Sequence, residues 1–266
     1  MLRPRIIPCL LIKDGGLVKT TNFSNPKYVG DPINAVRIFN EKEVDELMVV
    51  DIDATMHERE PDYKLIKNLA AECRMPLCYG GGVKTIEQIH KIVGLGVEKV
   101  ALGAAAVSNP HLISAAAERI GSQSIVVVMD VKNKGLLGSK YRLFTHNGTK
   151  ATSMDPVAFA KHAEGLGAGE ILLNSIDRDG MQNGYDLRLI NMVRESTSLP
   201  LTVLGGAGSL ADISELIEKF GTIGAAAGSL FVFKGKYRAV LISYPGPLEK
   251  EELIKKRWHL VKVHLI

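Results

Sequence analysis

The feature that most constrains this chain is a long internal repeat. At one constant offset, MPLCYGGGVKTIEQI from Met75 aligns with LPLTVLGGAGSLADI from Leu199, so that a proline, a leucine, two glycines and a hydroxyl residue coincide. The same offset pairs Glu46 with Glu170 and Ala105 with Ser229. A slightly shorter offset aligns IIPCLLIKDG from Ile6 with IVVVMDVKNK from Ile125, pairing Leu11 with Asp130 and Lys13 with Lys132. A period this long far exceeds that of a solenoid repeat and points to a duplicated half-domain.

Within each half, short apolar runs alternate with amphipathic stretches, the pattern of βα units around a parallel sheet. The apolar runs predict strands over Arg5 to Leu11, Glu46 to Asp51, Pro76 to Gly80, Lys99 to Gly103, Ser124 to Asp130, Glu170 to Asn174, Pro200 to Leu204 and Ile223 to Ala227. Helices are expected over Pro32 to Asn40, Tyr63 to Cys73, Ile86 to Leu95, Pro110 to Ile120, Pro156 to Gly165, Leu187 to Glu195 and Leu210 to Phe220. Thr85 and Ser209 are placed to cap free N–H groups, and Pro110 and Pro156 suit a first helical turn. Eight strands in 266 residues match a (β/α)8 barrel, which takes roughly 250 residues. An open doubly wound sheet also alternates strands and helices, but it requires neither eight units nor a half-length duplication. The expected fold is therefore a single (β/α)8 TIM barrel over residues 1–266, made of two similar half-barrels, with a C-terminal helix or tail extension from about 235.

Composition narrows the function classes. A formal charge of +4 is spread along the chain, apart from Lys255, Lys256 and Arg257, and reads as solvated surface rather than a nucleic-acid footprint. Cys9, Cys73 and Cys78 are odd in number and lack paired CxxC spacing, which suggests neither disulfides nor a zinc site. The N-terminal run breaks at Lys13 and Asp14, too early for a spanning helix and wrongly built for a secretion signal. A cytoplasmic protein is expected, without metal, cofactor, nucleic-acid or membrane partner.

Glycines cluster after the third and seventh predicted strands, at Gly80, Gly81 and Gly82 and at Gly205, Gly206 and Gly208. Glycine lets backbone approach a ligand, and phosphate in barrels commonly binds after strands seven and eight, here Gly205, Gly206, Gly228 and Ser229. Either cluster is also ordinary turn chemistry. Two symmetric ones point to a long substrate with a phosphate at each end. Asp51, Asp130, Asp177 and Asp179 fall at strand C-termini, the face that carries active sites in such barrels. Asp130 closes the run IVVVMD, where an apolar setting raises a carboxyl pKa toward acid–base use. A cap or ion-pair role fits Asp130 equally and is favoured for Asp177. At the opposite strand ends, Arg5, Glu46, Lys99 and Glu170 would form a ring of ion pairs if turned inward, or a surface salt-bridge set if not. The loop around His146, Asn147 and Gly148 reads as a hairpin or flap, and no glutaminase nucleophile motif is present.

Together these residues resemble the cyclase subunit of imidazole glycerol phosphate synthase, the HisF-like barrel that receives ammonia from a glutaminase in histidine biosynthesis. The resemblance runs from Met1 to about Phe233, on RIIPCL at Arg5, IKDG at Ile12, GDP at Gly30, DEL at Asp45, GGG at Gly80, GSQ at Gly121, AGEILLNSIDRDG at Ala168, GYD at Gly184 and GGAG at Gly205. It implies that Arg5, Glu46, Lys99 and Glu170 form an ammonia gate, that Asp130 is one of two catalytic carboxylates, and that Lys19, Asp51, Gly81, Gly82, Asn174, Asp179, Gly205, Gly206, Gly228 and Ser229 line the mouth. The chain departs from the pattern in three places. Leu11 stands where the first catalytic acid belongs, Gly103 and Ala104 replace Asn and Thr, and Asn174 replaces Thr.

Beyond strand eight, SLFVFKGKYRAVLISYP from Ser229 is similar to a hallmark of barrels encoded with surface-polysaccharide genes. That subgroup implies a component of a glutamine-dependent amidotransferase. Its partners would be a HisH-like glutaminase and a sugar amidotransferase that makes an acetamidino sugar, with a phosphorylated or nucleotide-linked small molecule as ligand. The rivals are a true histidine-pathway cyclase in which Asp14 or Asp51 replaces the lost acid, and a barrel that only activates the glutaminase.

Overall fold

The computed structural model describes residues 3–135 and 140–254. Eight parallel strands close on themselves: β1 (Arg5–Lys13), β2 (Leu47–Asp51), β3 (Leu77–Gly80), β4 (Lys99–Leu102), β5 (Ile125–Asn133), β6 (Glu170–Ser175), β7 (Leu201–Leu204) and β8 (Gly224–Ala227). Each pairs in parallel with the next, and β8 returns to β1 with Arg5 opposite Gly224. The expected (β/α)8 barrel is the observed one.

The strands are almost continuously apolar because both of their faces are covered. Their outward side chains, such as Val49, Val100, Val127 and Leu173, join the helices in one large core. Their inward side chains form a second, separate cluster of Ile7, Cys9, Met48, Cys78, Ala101, Val126, Leu172 and Ala226. Cysteine and alanine make up half of this inner set and none of it is charged, so the barrel axis is filled by apolar side chains.

Among the described residues, seven helices of eight to eleven residues lie between the barrel strands and outside them: α1 (Pro32–Glu41), α2 (Tyr63–Glu72), α3 (Ile86–Gly94), α4 (His111–Ile120), α5 (Pro156–Gly165), α6 (Leu187–Arg194) and α7 (Leu210–Phe220). Thr85 and Ser209 both form capping boxes, with Gln88 and Asp212 reaching back to the cap. Pro156 takes the first helical position, but Pro110 sits one residue before α4 as its cap, with no side-chain hydrogen bond.

The strand ends differ from the sequence expectation in an instructive way. β1 and β5 run on to Lys13 and Asn133 because each continues into an antiparallel excursion. Gly16–Thr21 folds back on β1 and pairs with Ser24–Gly30, while Tyr141–Thr145 folds back on β5 and pairs with Lys150–Ala151. The duplication thus extends to a hairpin after the first strand of each half. The hairpin at His146 was expected; the one after β1 was not.

After β8 the chain makes a one-turn helix, Ser229–Val232, and a short hairpin pairing Phe233–Lys234 with Ala239–Val240. The Tyr244 hydroxyl then donates to the Ile6 carbonyl (2.9 Å) and accepts the Asp45 N–H (3.2 Å), while Lys250 Nζ meets Asp45 Oδ1 at 2.8 Å. The basic run Lys255–Arg257 and the WHLVKVHLI stretch lie outside the described residues. Among the described residues no helix is long and apolar enough to cross a membrane.

Candidate functional site

At the N-terminal end of the barrel the four sequence-matched charges converge. Arg5 Nη1 donates to Glu46 Oε2, Arg5 Nη2 donates to Glu170 Oε1 (2.7 Å), and Lys99 Nζ donates to Glu46 Oε2 (2.9 Å) and Glu170 Oε2 (2.8 Å). Each cation therefore touches both anions, and the ring carries no net charge. Burial opposes ionisation of Glu170, but Arg5 and Lys99 outweigh it and hold the carboxyl below its ordinary range. The Lys99 ammonium is raised for the converse reason: desolvation is overcome by Glu170 and Glu46.

A fifth member went unforeseen. The Thr202 hydroxyl donates to Glu170 Oε1 and accepts from Arg5 Nη2 at 3.3 Å. Gly224 leaves room for it, since a β-carbon there would stand 1.9 Å from Thr202 Oγ1. Nothing local in LPLTVL marks that threonine as polar machinery.

Above the ring comes the apolar lumen, and above that a cavity of ≈ 320 Å³ at the C-terminal face. Cys9 and Cys78 stay neutral in the lumen, where burial pushes the Cys9 thiol up to about 11 and raises the Cys78 thiol well above its ordinary value. Leu11, Lys19, Asp51, Asp130, Asn174 and Asp179 line the cavity, with Gly81, Gly82, Gly103 and Ala104 on one wall.

Asp130 is the chemically distinctive group. Its carboxyl is pushed up to about 7 by desolvation and, secondarily, by the charge of Asp179; the hydrogen bond from Asn174 Nδ2 (2.9 Å) works against the rise. A group poised there exchanges protons readily near neutrality. Asp51 is also raised by burial, although the N–H groups of Asp53 (2.9 Å) and Ala54 (3.0 Å) hold its Oδ1. Asp14 is exposed and does not line the cavity. Asp177 accepts the Asn133 N–H at 2.7 Å, a loop-tying role.

Lys19 Nζ donates to the Cys9 carbonyl (3.1 Å) from a buried position, and Asp179 Oδ2 accepts from the Thr20 hydroxyl (2.6 Å). Asn147, on the hairpin after β5, crosses the mouth to donate to the Ile52 carbonyl at 2.7 Å.

The two glycine clusters are not equivalent. Gly81 and Gly82 open onto the large cavity, and Gly81 has φ +115 with the Asp51 carbonyl only 2.3 Å from where its β-carbon would be. Gly205, Gly206, Gly228 and Ser229 line a separate pocket of ≈ 10 Å³, about one water. In this structure the two clusters therefore differ in the open space beside them, the second being closely lined by protein.

A closed (β/α)8 barrel, with an ion-pair ring at one end and an acid-lined cavity at the other, sets the class. A family model described as "Histidine biosynthesis protein" matches residues 5–238. The chain is 57% identical to a protein provisionally named imidazole glycerol phosphate synthase subunit HisF3 of Vibrio vulnificus, over 96% of this chain and 98% of that one. It is 56% identical to a provisionally named HisF of Leptospira interrogans (95% and 99% covered). It is 41% identical to the imidazole glycerol phosphate synthase subunit HisF of Lactococcus lactis subsp. cremoris (97% and 96% covered). The chain belongs to this histidine biosynthesis protein family, as a HisF-like subunit.

Proposed function

We propose that the chain is the ammonia-receiving barrel of a glutamine-dependent amidotransferase, docked by its floor on a HisH-like glutaminase. The observation that carries this reading is the neutral four-charge ring closing one end of an uncharged lumen whose other end opens on the cavity. Parting one ion pair admits a small neutral molecule. The Cys, Ala, Leu and Met lining then favours ammonia over ammonium, because an isolated cation there has no counter-charge.

The acceptor divides two readings. Leu11 and the tail string from Ser229 support delivery of ammonia to a separate sugar amidotransferase in acetamidino-sugar formation. A leucine at the mouth cannot exchange a proton, and Gly103 and Ala104 offer no side-chain hydrogen bonds. The names of the relatives favour the other reading, cyclase action in histidine biosynthesis, with Asp130 and Asp51 as the two carboxyls on one cavity. Asp14 does not serve there, being outside it.

Coupling tests the shared claim. With glutaminase and acceptor enzyme present, Glu46→Ala or Lys99→Ala is expected to leave glutamine hydrolysis running while aminated product falls at least fivefold. Unchanged coupling rejects the channel. Complementation separates the acceptors: growth of a cyclase-deficient histidine auxotroph without histidine selects the cyclase reading, and amidine formation with the sugar amidotransferase selects the other.

A further inference from the structure

We propose that the chain after β8 is a clasp on the charged ring: Tyr244, supported by Lys250, is a positioning residue that holds together the chain segments carrying Arg5 and Glu46. The inference deepens the reading above by naming what sets the gate, and rests on it in taking the ring as the point of passage.

The seam between β1 and β2 is unpaired at the level of the ring. Their ladder begins at Cys9 opposite Met48, whereas Arg5 and Glu46 meet below it. Pro8 accounts for the gap. Alternate residues of a strand face the same neighbour, so Ile6 and Pro8 both face β2, and a proline has no N–H to extend the ladder. The Ile6 N–H and carbonyl therefore need partners from outside the sheet.

Asp45 and Tyr244 supply them. Asp45 Oδ2 accepts the Ile6 N–H at 2.9 Å, and the Tyr244 hydroxyl donates to the Ile6 carbonyl at 2.9 Å. The same hydroxyl accepts the Asp45 N–H at 3.2 Å. One oxygen thus bridges two backbones at the residues adjoining Arg5 and Glu46. Lys250 Nζ completes the clasp, donating to Asp45 Oδ1 (2.8 Å) and to the Glu43 carbonyl (3.2 Å). Asp45 is therefore held by β1 through one carboxylate oxygen and by the tail through the other.

The clasp is anchored by its own packing. The Tyr244 ring centre lies 5.4 Å from that of Phe231, which is buried in the core, and Leu253 is buried as well. The route of the chain puts these groups at the floor. Residues 241–246 are neither helix nor strand, and residues 247–254 are helical. The chain thus passes from the mouth at Ser229–Val232 to Ile6 and Asp45 before that helix begins. Without the Tyr244 hydroxyl, the Ile6 carbonyl and the Asp45 N–H lose their partner. The segments bearing Arg5 and Glu46 are then free to part without a signal from the glutaminase side, and ammonia leaks back through the floor.

The test uses the full chain and Tyr244→Phe, which keeps the ring against Phe231 and removes only the hydroxyl. Two results are expected. The Asp45 amide exchanges at least tenfold faster and the Arg5 guanidinium resonances shift, while amide exchange along β6 is unchanged. With the glutaminase and acceptor enzyme present, product formed per glutamine consumed falls at least threefold, while product formed from excess ammonium chloride is unchanged. Unmoved Arg5 resonances, unchanged coupling, or an equal fall with both nitrogen sources overturns the proposal, the last because it marks general loss of structure. Should Tyr244→Phe fail to fold, Lys250→Met removes the Asp45 ion pair from the same clasp and is held to the same outcomes. Unchanged coupling in Lys99→Ala rejects the ammonia reading instead, and the Arg5 resonances in Tyr244→Phe still decide whether Tyr244 sets the ring.

Discussion

Leu11 and Asp130 hold matched places in the two half-barrels and face one cavity, yet only one of them titrates. The Asp130 carboxyl is held at about 7 against an ordinary 3.8, chiefly by desolvation. For an acid raised on folding, there is no penalty below the unfolded pKa, where both states are protonated. The penalty grows between about pH 4 and pH 7, as the unfolded chain alone ionises, and is constant above. Three units correspond to about 4 kcal/mol at most; because the carboxyl is half-buried and faces the open cavity, about 2 kcal/mol is the realistic size. Asp130→Asn keeps an acceptor for Asn174 and is therefore expected to stabilise the protein by about 2 kcal/mol at pH 8 and by nothing near pH 4. Urea unfolding across that range measures it; a gain that does not vary with pH would assign the effect to packing instead. The same substitution removes whatever proton transfer Asp130 performs, so stability and activity should move in opposite directions.

Among the elements, turns and caps decide where the mouth residues stand. Gly206 and Gly103 make a matched comparison: both follow barrel strands, but only Gly206 has positive φ and a carbonyl 2.1 Å from its missing β-carbon, whereas Gly103 would meet nothing closer than Val128 Cβ at 3.8 Å. Gly206→Ala should cost about 3 kcal/mol of unfolding free energy, and Gly103→Ala less than about 1 kcal/mol. Similar losses in both would mean that the β7 turn relaxes. These elements also show what the sequence made legible. The caps at Thr85 and Ser209 were readable because the signal lies within one helical turn, and the strands because parallel barrel strands are apolar on both faces. The hairpin after β1 was not, since its outer strand, SNPKYVG, is mostly exposed and has no alternating apolar pattern. Thr202 was missed for a related reason: it acts through Arg5 and Glu170, far away in the chain, and belongs to no local pattern. The charged floor was legible as four charged residues at or near strand starts, but not their direction, which only barrel closure determines.

For the whole molecule, the floor joins distant parts of the chain: β1, the residue before β2, β4, β6 and β7 each contribute one polar side chain, so the ring registers whether the barrel has closed. Glu170 is its most strongly tied anion, accepting from Arg5, Lys99 and Thr202. Its pKa is depressed in the folded state, so its contribution is present above the unfolded value near 4.5 and is lost as pH falls through the folded value. Glu170→Gln leaves Arg5 and Lys99 sharing Glu46 alone. Removing one partner from a buried pair costs about 3–5 kcal/mol, and with Arg5 29% and Lys99 18% exposed at the side chain about 2 kcal/mol is expected at pH 7. The deficit should shrink toward zero as pH falls through the depressed folded value, below which the unaltered protein protonates the same carboxyl. Unfolding measured across that range checks this, and ammonia coupling on the same variant checks the gate. A variant that loses coupling at pH 7 while remaining folded would identify passage, rather than closure, as what the ring's charges serve; full coupling despite the 2 kcal/mol loss would assign the ring to barrel closure alone.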